Sequence, residues 1–113
     1  ITPMDNRRFV ERVDFITTPG YLNGKGARER AGLPANTGPY KVITNLCILG
    51  YDDETCRMRI ESLHPGVSVE QVQENCGFEL LKAGSLEITP PPTQEELRIL
   101  REEVDPDGYI IGR

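Results

Sequence analysis

Two apolar segments near the middle of the chain predict a β-hairpin. The first, residues 42–49, is apolar or small on both faces, which is typical of a strand covered on both sides. The second, residues 56–61, alternates between apolar and charged positions, so one face is expected to be buried and the other wet. The apolar positions are Cys56, Met58 and Ile60, and the charged positions are Arg57, Arg59 and Glu61.

The register of this hairpin follows from its connection. If residues 52–55 form the turn, Leu49 lies opposite Met58 and Cys47 lies opposite Ile60. The apolar faces of the two strands then coincide. A slip by one residue would move every side chain to the other face, so this pairing is strongly specified.

A short helix is predicted after the Pro-Gly break at residues 65–66. Ser68 is suited to the N-cap, and Gln71 three residues later completes a capping-box pattern. Gly77 is the expected C-terminal stop of this helix. The positions expected to face inward are Val69, Val72 and Cys76.

The C-terminal part predicts a strand, a spacer and a second helix. Residues 78–81 are expected to form a strand and residues 82–87 a loop, and the three prolines that follow make a stiff, extended spacer. Thr93 and Glu96 form a second capping-box pattern, which opens a helix over residues 94–104. The apolar stripe of this helix is Leu97, Leu100 and Val104, and Asp105-Pro106 ends it.

The N-terminal third combines a strand with a long loop. Residues 1–5 have the pattern of a strand end, and residues 13–17 alternate with the β-branched and aromatic types that strands favour. Residues 18–39 are rich in Gly and Pro, and a loop of that length is uncommon unless it is functional or packs on another part. Within it, residues 27–31 are expected to form one helical turn that Gly32 stops.

Composition limits the size of the fold and the class of its partners. The 113 residues allow one domain at most, and a hydrophobic fraction of 37% with no Trp is lean for a self-sufficient core. The net charge of −5 disfavours nucleic acid and anionic membranes as partners. No apolar run approaches the ~20 residues of a transmembrane helix, and no signal peptide is recognisable. We interpret the opening Ile-Thr-Pro-Met as an internal rather than a natural start.

The cysteines and the histidine favour structural roles. Cys47, Cys56 and Cys76 include no CxxC pair, which disfavours a disulfide framework and a zinc site. Free thiols in a reducing cytoplasm are the expectation. His64, the only histidine, is expected to make structural hydrogen bonds rather than to act as a general base.

Two local patterns resemble ligand sites only superficially. Gly24-Lys25-Gly26 lacks the rest of a P-loop, so a flexible turn is expected there. The acidic turn at residues 52–54 lacks the spaced ligands of a calcium loop, so a solvated hairpin tip is expected. No metal ligand is therefore assigned.

Four segments carry a family resemblance. They read RRFVERVDFITTPGYL, VITNLCILGYD, MRIESLHPGVSVEQVQENCGFELL and PPPTQEELRILREEVDP, in that order. Together they resemble the C-terminal part of the B subunit of class I CoA-transferases, of the glutaconate CoA-transferase type and more distantly succinyl-CoA:3-oxoacid CoA-transferase. The resemblance implies an α/β fold: the C-terminal part of an open mixed-sheet CoA-transferase-like fold with a β-hairpin, a short capped helix and a C-terminal helix.

The resemblance also implies an activity. Members move CoA between an acyl-CoA and a carboxylic acid through a glutamyl-CoA intermediate. The family's nucleophilic glutamate lies early in the B subunit, and its glycine-rich oxyanion segment precedes the region matching Ile1. Neither has a counterpart here, so no catalytic residue is assigned. The glutamates that lie outside the nucleophile motif are Glu11, Glu54, Glu61, Glu70, Glu74 and Glu79.

The implied partners are the missing N-terminal half of the B subunit, together with an A subunit of related fold, in a cytoplasmic oligomer. Coenzyme A would be a substrate of the complete enzyme rather than a tightly bound cofactor. Residues 1–88 are interpreted as part of the α/β domain, and residues 89–113 as the Pro-rich spacer and C-terminal helix. The candidate pocket loop is Thr18, Pro19, Gly20 and Tyr21, which would line a substrate or CoA pocket; the alternative is a surface or subunit-contact loop.

Three other functions stay open. A related acyl-CoA ring-opening hydrolase would share this scaffold. A non-catalytic assembly module would bind a protein through the proline spacer and the terminal helix, and burial of the Leu97, Leu100 and Val104 stripe in the chain's own core would remove its main support. A small-molecule binding domain would rest only on Gly24 and Gly26.

Overall fold

Four strands form one mixed sheet in the order β1-β2-β3-β4. The computed structural model describes residues 1–110 and 112. The strands are β1 (Val42–Ile43), β2 (Cys47–Tyr51), β3 (Met58–Leu63) and β4 (Leu81–Ile88), and the helices are α1 (Ala27–Arg30), α2 (Val69–Glu74) and α3 (Gln94–Ile99). Strands β1, β2 and β3 are antiparallel neighbours, and β4 runs parallel to β3. The predicted α/β class with an open mixed sheet is confirmed. Within the described residues, every helix is too short or too polar to cross a membrane.

The predicted strand over residues 42–49 is two strands joined by a turn at Thr44. Its Oγ1 accepts from the backbone N–H of Leu46 at 3.1 Å and of Cys47 at 2.9 Å. Next to it, Asn45 Oδ1 accepts from the N–H of Met4 at 2.8 Å. The prediction of one continuous strand is wrong because the Thr44 side chain takes up two backbone donors that a continuous strand would pair with its neighbour.

The predicted hairpin is confirmed, but its register is wrong. Leu49 lies opposite Ile60 instead of Met58, and Met58 pairs with Tyr51. Cys47 likewise lies opposite a residue beyond Ile60, namely Leu63. The shift keeps the apolar sides of the strands together, so the pattern alone did not exclude it.

The connection between β2 and β3 is longer than the predicted turn over residues 52–55, and this explains the changed register. The N–H of Asp52 donates to the carbonyl of Arg57 at 2.9 Å, and the N–H of Cys56 donates to the carbonyl of Asp52 at 2.8 Å. Cys56 has φ 57°, in the left-handed region, so it belongs to the turn and not to the strand.

Helix α2 crosses from β3 to β4 and begins where Ser68 predicts. Ser68 Oγ accepts from the N–H of Gln71 at 3.2 Å. The helix ends at Glu74, before the predicted stop at Gly77. Gly77 instead donates its N–H to the carbonyl of Phe9 at 2.7 Å, so this glycine permits a close backbone approach rather than a helix stop.

Strand β4 corrects two predictions. Residues 82–87 were expected to form a loop and residues 78–81 a strand, whereas the strand is Leu81–Ile88. It lies at the edge of the sheet, and its register against β3 shifts between Ile60 and Ser62. The weak alternation around Gly84 gave no strand signal, because the pairing comes from β3 and not from local propensity.

The apolar core lies on one face of the sheet, under α2 and the N-terminal segment. Its members are Met4, Phe9, Cys47, Leu49, Ile60, Leu63, Val72, Cys76 and Leu80. The predicted inward positions of α2 are confirmed for Val72 and Cys76, and Val69 packs half-buried against the same cluster.

The segment before the long loop is irregular, so the strand predicted over residues 13–17 is wrong. Phe15 is 80% exposed and Ile16 is 68% exposed. A strand needs a neighbouring backbone, and propensity alone does not hold this segment in the described part of the chain. The single turn of α1 is confirmed, with Gly32 at φ 80° after it.

The C-terminal helix begins with the predicted capping box. Thr93 Oγ1 accepts from the N–H of Glu96 at 3.2 Å, and the Glu96 carboxylate accepts from the N–H of Thr93 at 2.7 Å. Helix α3 continues as a π-helical turn, Leu100–Val104, up to Asp105. Leu97 and Leu100 are half-buried but outside the core cluster, and Val104 is 63% exposed. The stripe is therefore not buried in the chain's own core.

Candidate functional site

A cleft of about 960 Å³ opens between the N-terminal segment, the long loop and the hairpin connection. Its apolar and aromatic lining includes Phe9, Tyr21, Tyr51, Met58 and Phe78. Its charged lining includes Arg8, Glu11, Arg57 and Glu79. A lining that combines aromatic side chains with a few polar and charged groups is compatible with a small-molecule site.

Two tyrosines form the aromatic wall of the cleft. The rings of Tyr21 and Tyr51 meet edge to face, with centroids 4.9 Å apart and an interplanar angle of 62°. The hydroxyl of Tyr21 donates to the carbonyl of Pro39 at 2.7 Å. Burial, and secondarily the neighbouring Tyr21, raises the pKa of Tyr51, so its phenol stays protonated at neutral pH.

Arg28 of α1 fixes the loop that carries Tyr21. Its Nη1 donates to the carbonyl of Gly20 at 2.6 Å, and its Nη2 donates to Thr37 Oγ1 at 2.9 Å. Thr37 in turn donates to the carbonyl of Pro34 at 2.6 Å. The long loop is therefore bound to itself through one guanidinium group, which holds Gly20 and Tyr21 at the mouth of the cleft.

The charge at the opposite edge is a loose ion pair. Arg57 Nη2 lies 3.2 Å from the carboxylate of Glu79 and 3.3 Å from its backbone carbonyl. Both side chains are substantially exposed, so the pair is worth little to stability. Arg57 can therefore turn toward an anion in the cleft at small cost.

The structure separates the four predicted pocket-loop residues. Gly20 and Tyr21 line the cleft, whereas Thr18 and Pro19 are exposed and lie outside its lining. Tyr51, Arg57 and Arg28 were not anticipated as site residues. Only Tyr51 had a sequence signal, because it follows Cys47 and Leu49 at a spacing of two residues and so lies on their side of β2.

His64 lies in a hydrogen-bond network apart from the cleft. Its Nε2 is 2.9 Å from the carbonyl of Thr44, and its Nδ1 is 3.0 Å from Thr89 Oγ1. Thr89 Oγ1 is also 2.8 Å from Ser62 Oγ. The predicted hydrogen bonding of His64 is confirmed. This network joins the β1–β2 turn, β3 and the start of the proline spacer.

The two superficial ligand patterns contact each other. Lys25 Nζ lies 2.8 Å from the Glu54 carboxylate, and both side chains are exposed. Asp52 Oδ2 accepts from the hydroxyl of Thr55 at 2.7 Å and from its N–H at 2.8 Å. These bonds hold the pKa of Asp52 below its usual value. Across residues 1–110 and 112, no group of three or more His, Cys, Asp or Glu side chains is placed to hold a metal.

The cysteines differ in their surroundings. All three are free thiols, with Cys47 and Cys76 buried and Cys56 half-buried. Burial raises the pKa of both Cys47 and Cys76. Cys56 lines the cleft beside the two tyrosines, in the left-handed conformation that ends the turn.

Comparisons with known proteins identify the scaffold. The family model for Coenzyme A transferase matches residues 4–75. The B subunit of glutaconate CoA-transferase from Acidaminococcus fermentans is 40% identical over 107 residues, which is 95% of this chain and 40% of that protein. The Cholesterol ring-cleaving hydrolase IpdB subunit of Rhodococcus jostii is 39% identical over 103 residues, 89% of this chain and 39% of that protein.

A solved structure agrees with these relatives. The crystal structure of glutaconate coenzyme A-transferase from Acidaminococcus fermentans superposes with a TM-score of 0.88 at 37% identity, over 98% of this chain and 42% of that chain. The chain thus spans about 40% of the length of the curated relatives that it matches. The family resemblance and the CoA-transferase-like fold predicted from the sequence are confirmed: the chain belongs to the coenzyme A transferase family.

Proposed function

We propose that this chain is the C-terminal segment of a CoA-transferase B subunit, which moves CoA between an acyl-CoA and a carboxylic acid. The supporting observation is the 40% identity to the B subunit of glutaconate CoA-transferase, which extends over 95% of the chain. The sequence similarity therefore extends over the long Gly- and Pro-rich loop, the β-hairpin and the C-terminal helix.

The proposed chemistry is nucleophilic and uses a glutamate outside this chain. The carboxylate attacks the thioester carbonyl and expels the CoA thiolate, which leaves an acyl-glutamyl anhydride. The thiolate then attacks the glutamyl carbonyl, which releases the first acid and forms glutamyl-CoA. The acceptor carboxylate displaces CoA in the same way, and CoA finally takes the acceptor's acyl group and frees the glutamate. Backbone N–H donors elsewhere in the subunit would stabilise the oxyanions.

Within this chain, the proposed contribution is to bind the CoA-linked substrate in the cleft. Gly20 and Tyr21 line the cleft from the long loop, with Thr18 and Pro19 on its exposed approach. Tyr51 offers a neutral phenol, and Arg57 offers a cation that Glu79 holds only weakly. CoA would be a substrate of the complete enzyme rather than a tightly bound cofactor.

The proposed assembly contains the rest of the B subunit, together with an A subunit of related fold, in the cytoplasm. Residues 1–88 would complete the α/β domain, and residues 89–113 would act as a spacer and docking helix; residues 111 and 113 lie outside the described residues. The chain alone is expected to be inactive, because the nucleophile and the oxyanion segment are supplied by the rest of the subunit.

Two alternatives keep specific support. The ring-cleaving hydrolase subunit of Rhodococcus jostii is 39% identical, nearly as similar as the transferase subunit, so hydrolysis of a CoA-linked ring substrate is the second candidate. The assembly-module alternative keeps its support as well, because Val104 is 63% exposed and the helix stripe lies outside the core.

A chimeric B subunit tests these proposals. In the Acidaminococcus enzyme, this chain would replace the matching part of the B subunit, with co-expression of the native A subunit. Transferase function predicts CoA transfer from acetyl-CoA to glutaconate that depends on the acceptor acid. Hydrolase function predicts CoA release from a CoA-linked ring substrate without an acceptor. An assembled chimera with no thioester turnover would count against the transferase proposal.

A further inference from the structure

The cleft shares a wall with a second, smaller cavity. The cleft has a volume of about 960 Å³, and the second cavity, of about 440 Å³, lies within the long loop. Tyr21, Pro39 and Cys56 line both cavities, and we call these three residues the partition. The other lining residues of the second cavity belong to the loop segments 24–29 and 36–40. Its volume falls within the range of ~300–1,000 Å³ that small-molecule pockets have, so it has room for part of a ligand.

Tyr21 is the largest side chain of the partition. Its hydroxyl donates to the carbonyl of Pro39 at 2.7 Å, so the phenol reaches from one end of the loop to the other. Its ring lies edge to face with that of Tyr51, at a centroid distance of 4.9 Å. Tyr51 lines the cleft but not the second cavity. The ring of Tyr21 therefore separates the two spaces.

Gly38 and Arg28 hold the ring in this position. A Cβ at Gly38 would lie 3.0 Å from the ring of Tyr21, so the glycine lets the ring pack against the loop backbone. Gly38 has φ 141°, which a residue with a side chain rarely adopts. Arg28 Nη1 donates to the carbonyl of Gly20, the residue directly before Tyr21, at 2.6 Å. The ring is thus fixed from both ends of the loop.

The charged groups of the second cavity have partners or face solvent. They are Lys25, Arg28 and Glu29. Lys25 is exposed and lies 2.8 Å from the carboxylate of Glu54. Arg28 donates to two neutral oxygens of the loop, and Glu29 is exposed. The second cavity therefore offers space rather than an unpaired charge, and the partition controls size.

We propose that Tyr21 determines which acyl groups the cleft accepts, because its ring closes the cleft against the second cavity. This inference rests on the proposed function, in which the CoA-linked substrate lies in the cleft. A short acyl group fits in front of the ring. A longer acyl group needs the space that the ring occupies and the cavity behind it. Removal of the ring joins the two cavities and admits the longer group.

The test compares two acyl-CoA donors in the assembled chimeric enzyme, with glutaconate as the acceptor. The measured quantity is kcat/KM for hexanoyl-CoA divided by kcat/KM for acetyl-CoA. Tyr21→Ala is expected to raise this ratio by about tenfold or more, since the fit of a hydrophobic group in a pocket discriminates on this scale. Tyr21→Phe keeps the ring and its contact with Gly38, so the ratio is expected to stay the same.

Tyr51→Ala is the matched control for a wider cleft. It removes an equally large side chain from the cleft but leaves the partition in place, so a smaller rise in the ratio is expected. Thermal melting followed by circular dichroism checks that each variant is folded, and Tyr21→Leu takes the place of Tyr21→Ala if that variant unfolds. An unchanged ratio in the folded variant without the ring would overturn the proposal, and so would an equal rise in Tyr51→Ala.

Binding measurements separate this inference from the proposed function. Isothermal titration calorimetry without an acceptor acid gives the Kd of each acyl-CoA for the assembled chimera. Binding without thioester turnover would contradict the proposed function. The inference would still be supported if the relative affinity for hexanoyl-CoA rises in Tyr21→Ala more than in Tyr51→Ala. Equal relative affinities in all variants would overturn the inference, and so would an unchanged chimera that binds neither acyl-CoA.

Discussion

The backbone N–H of Gly77 donates to the carbonyl of Phe9 at 2.7 Å, and a Cβ at Gly77 would lie 2.8 Å from that same oxygen. This contact joins the residues after α2 to the N-terminal segment. Phe9 itself is buried in the core, and both residues line the cleft. One backbone contact therefore connects the stability of the chain to the shape of the candidate site.

Replacement of Gly77 by Ala is expected to lower the free energy of unfolding by about 1–3 kcal/mol, because a rigid backbone carbonyl opposes the added methyl group. Gly84→Ala is the matched control, since a Cβ there meets nothing within 4 Å. That variant should leave stability unchanged or raise it slightly. Urea unfolding followed by circular dichroism measures the free energy of unfolding of each variant. An equal decrease for Gly77→Ala and Gly84→Ala would show that the contact between Gly77 and Phe9 is not tight.

The hydrogen bonds of His64 fix its tautomer. A carbonyl only accepts, so Nε2 carries the proton that it donates to Thr44, and Nδ1 accepts from the hydroxyl of Thr89. Thr89→Val keeps the shape but leaves Nδ1 without its donor, which is expected to cost about 1–3 kcal/mol in the free energy of unfolding. Thr89→Ser keeps the hydroxyl and should cost less. Nitrogen NMR of the ring reports the tautomer, and a Thr89→Val variant as stable as Thr89→Ser would contradict the assignment.

Features that depend on neighbouring residues in the chain were predictable from the sequence. Ser68 and Thr93 begin their helices as expected, because a capping side chain acts on backbone donors within one turn. The register of the hairpin was missed because Cys56 adopts a left-handed conformation that its sequence does not signal. The final strand was placed too early in the sequence, over residues 78–81, because its true bounds depend on parallel pairing with β3 across helix α2.

In the candidate site, too, features set by neighbouring residues were predictable and features set by distant residues were not. Gly20 and Tyr21 were predicted as pocket residues from their own loop, and both line the cleft. Tyr51 and Arg57 reach the cleft only because the hairpin brings them to it. The tether from Arg28 to Gly20 depends on a loop conformation that composition does not specify.

The capping box makes the stability of α3 depend on pH. The bonds from the N–H and hydroxyl of Thr93 hold the pKa of Glu96 below its usual value of 4.5. The pKa of Glu96 is lower in the folded chain than in the unfolded chain. The capping box therefore stabilises the helix fully above about pH 4.5, and this stabilisation is lost as the pH falls through the pKa of the folded chain. Thr93→Ala should raise the pKa of Glu96, and Thr93→Ser should not. Carbon NMR titration of the Glu96 carboxylate measures its pKa in each variant. Identical pKa values in Thr93→Ala and Thr93→Ser would show that the hydroxyl of Thr93 does not lower the pKa of Glu96.

The three thiols are expected to react in a definite order. Thiolate is the reactive form, and burial both raises the pKa of Cys47 and Cys76 and blocks access to them. Cys47 is 0% exposed and Cys76 is 7% exposed, whereas Cys56 is half-buried at the cleft. Iodoacetamide should therefore modify Cys56 first, at least about tenfold faster, as measured by peptide mass spectrometry over time.

Two further measurements connect this reactivity to the cleft. In concentrated urea the three cysteines should react at similar rates, because unfolding removes both burial and the shifted pKa values. In the assembled chimeric enzyme, acetyl-CoA should slow the reaction of Cys56 if the substrate fills the cleft that this residue lines. Equal rates for Cys56 and Cys76 in the native chain would mean that α2 opens readily. An unchanged Cys56 rate at saturating acetyl-CoA would place the CoA site elsewhere on the enzyme.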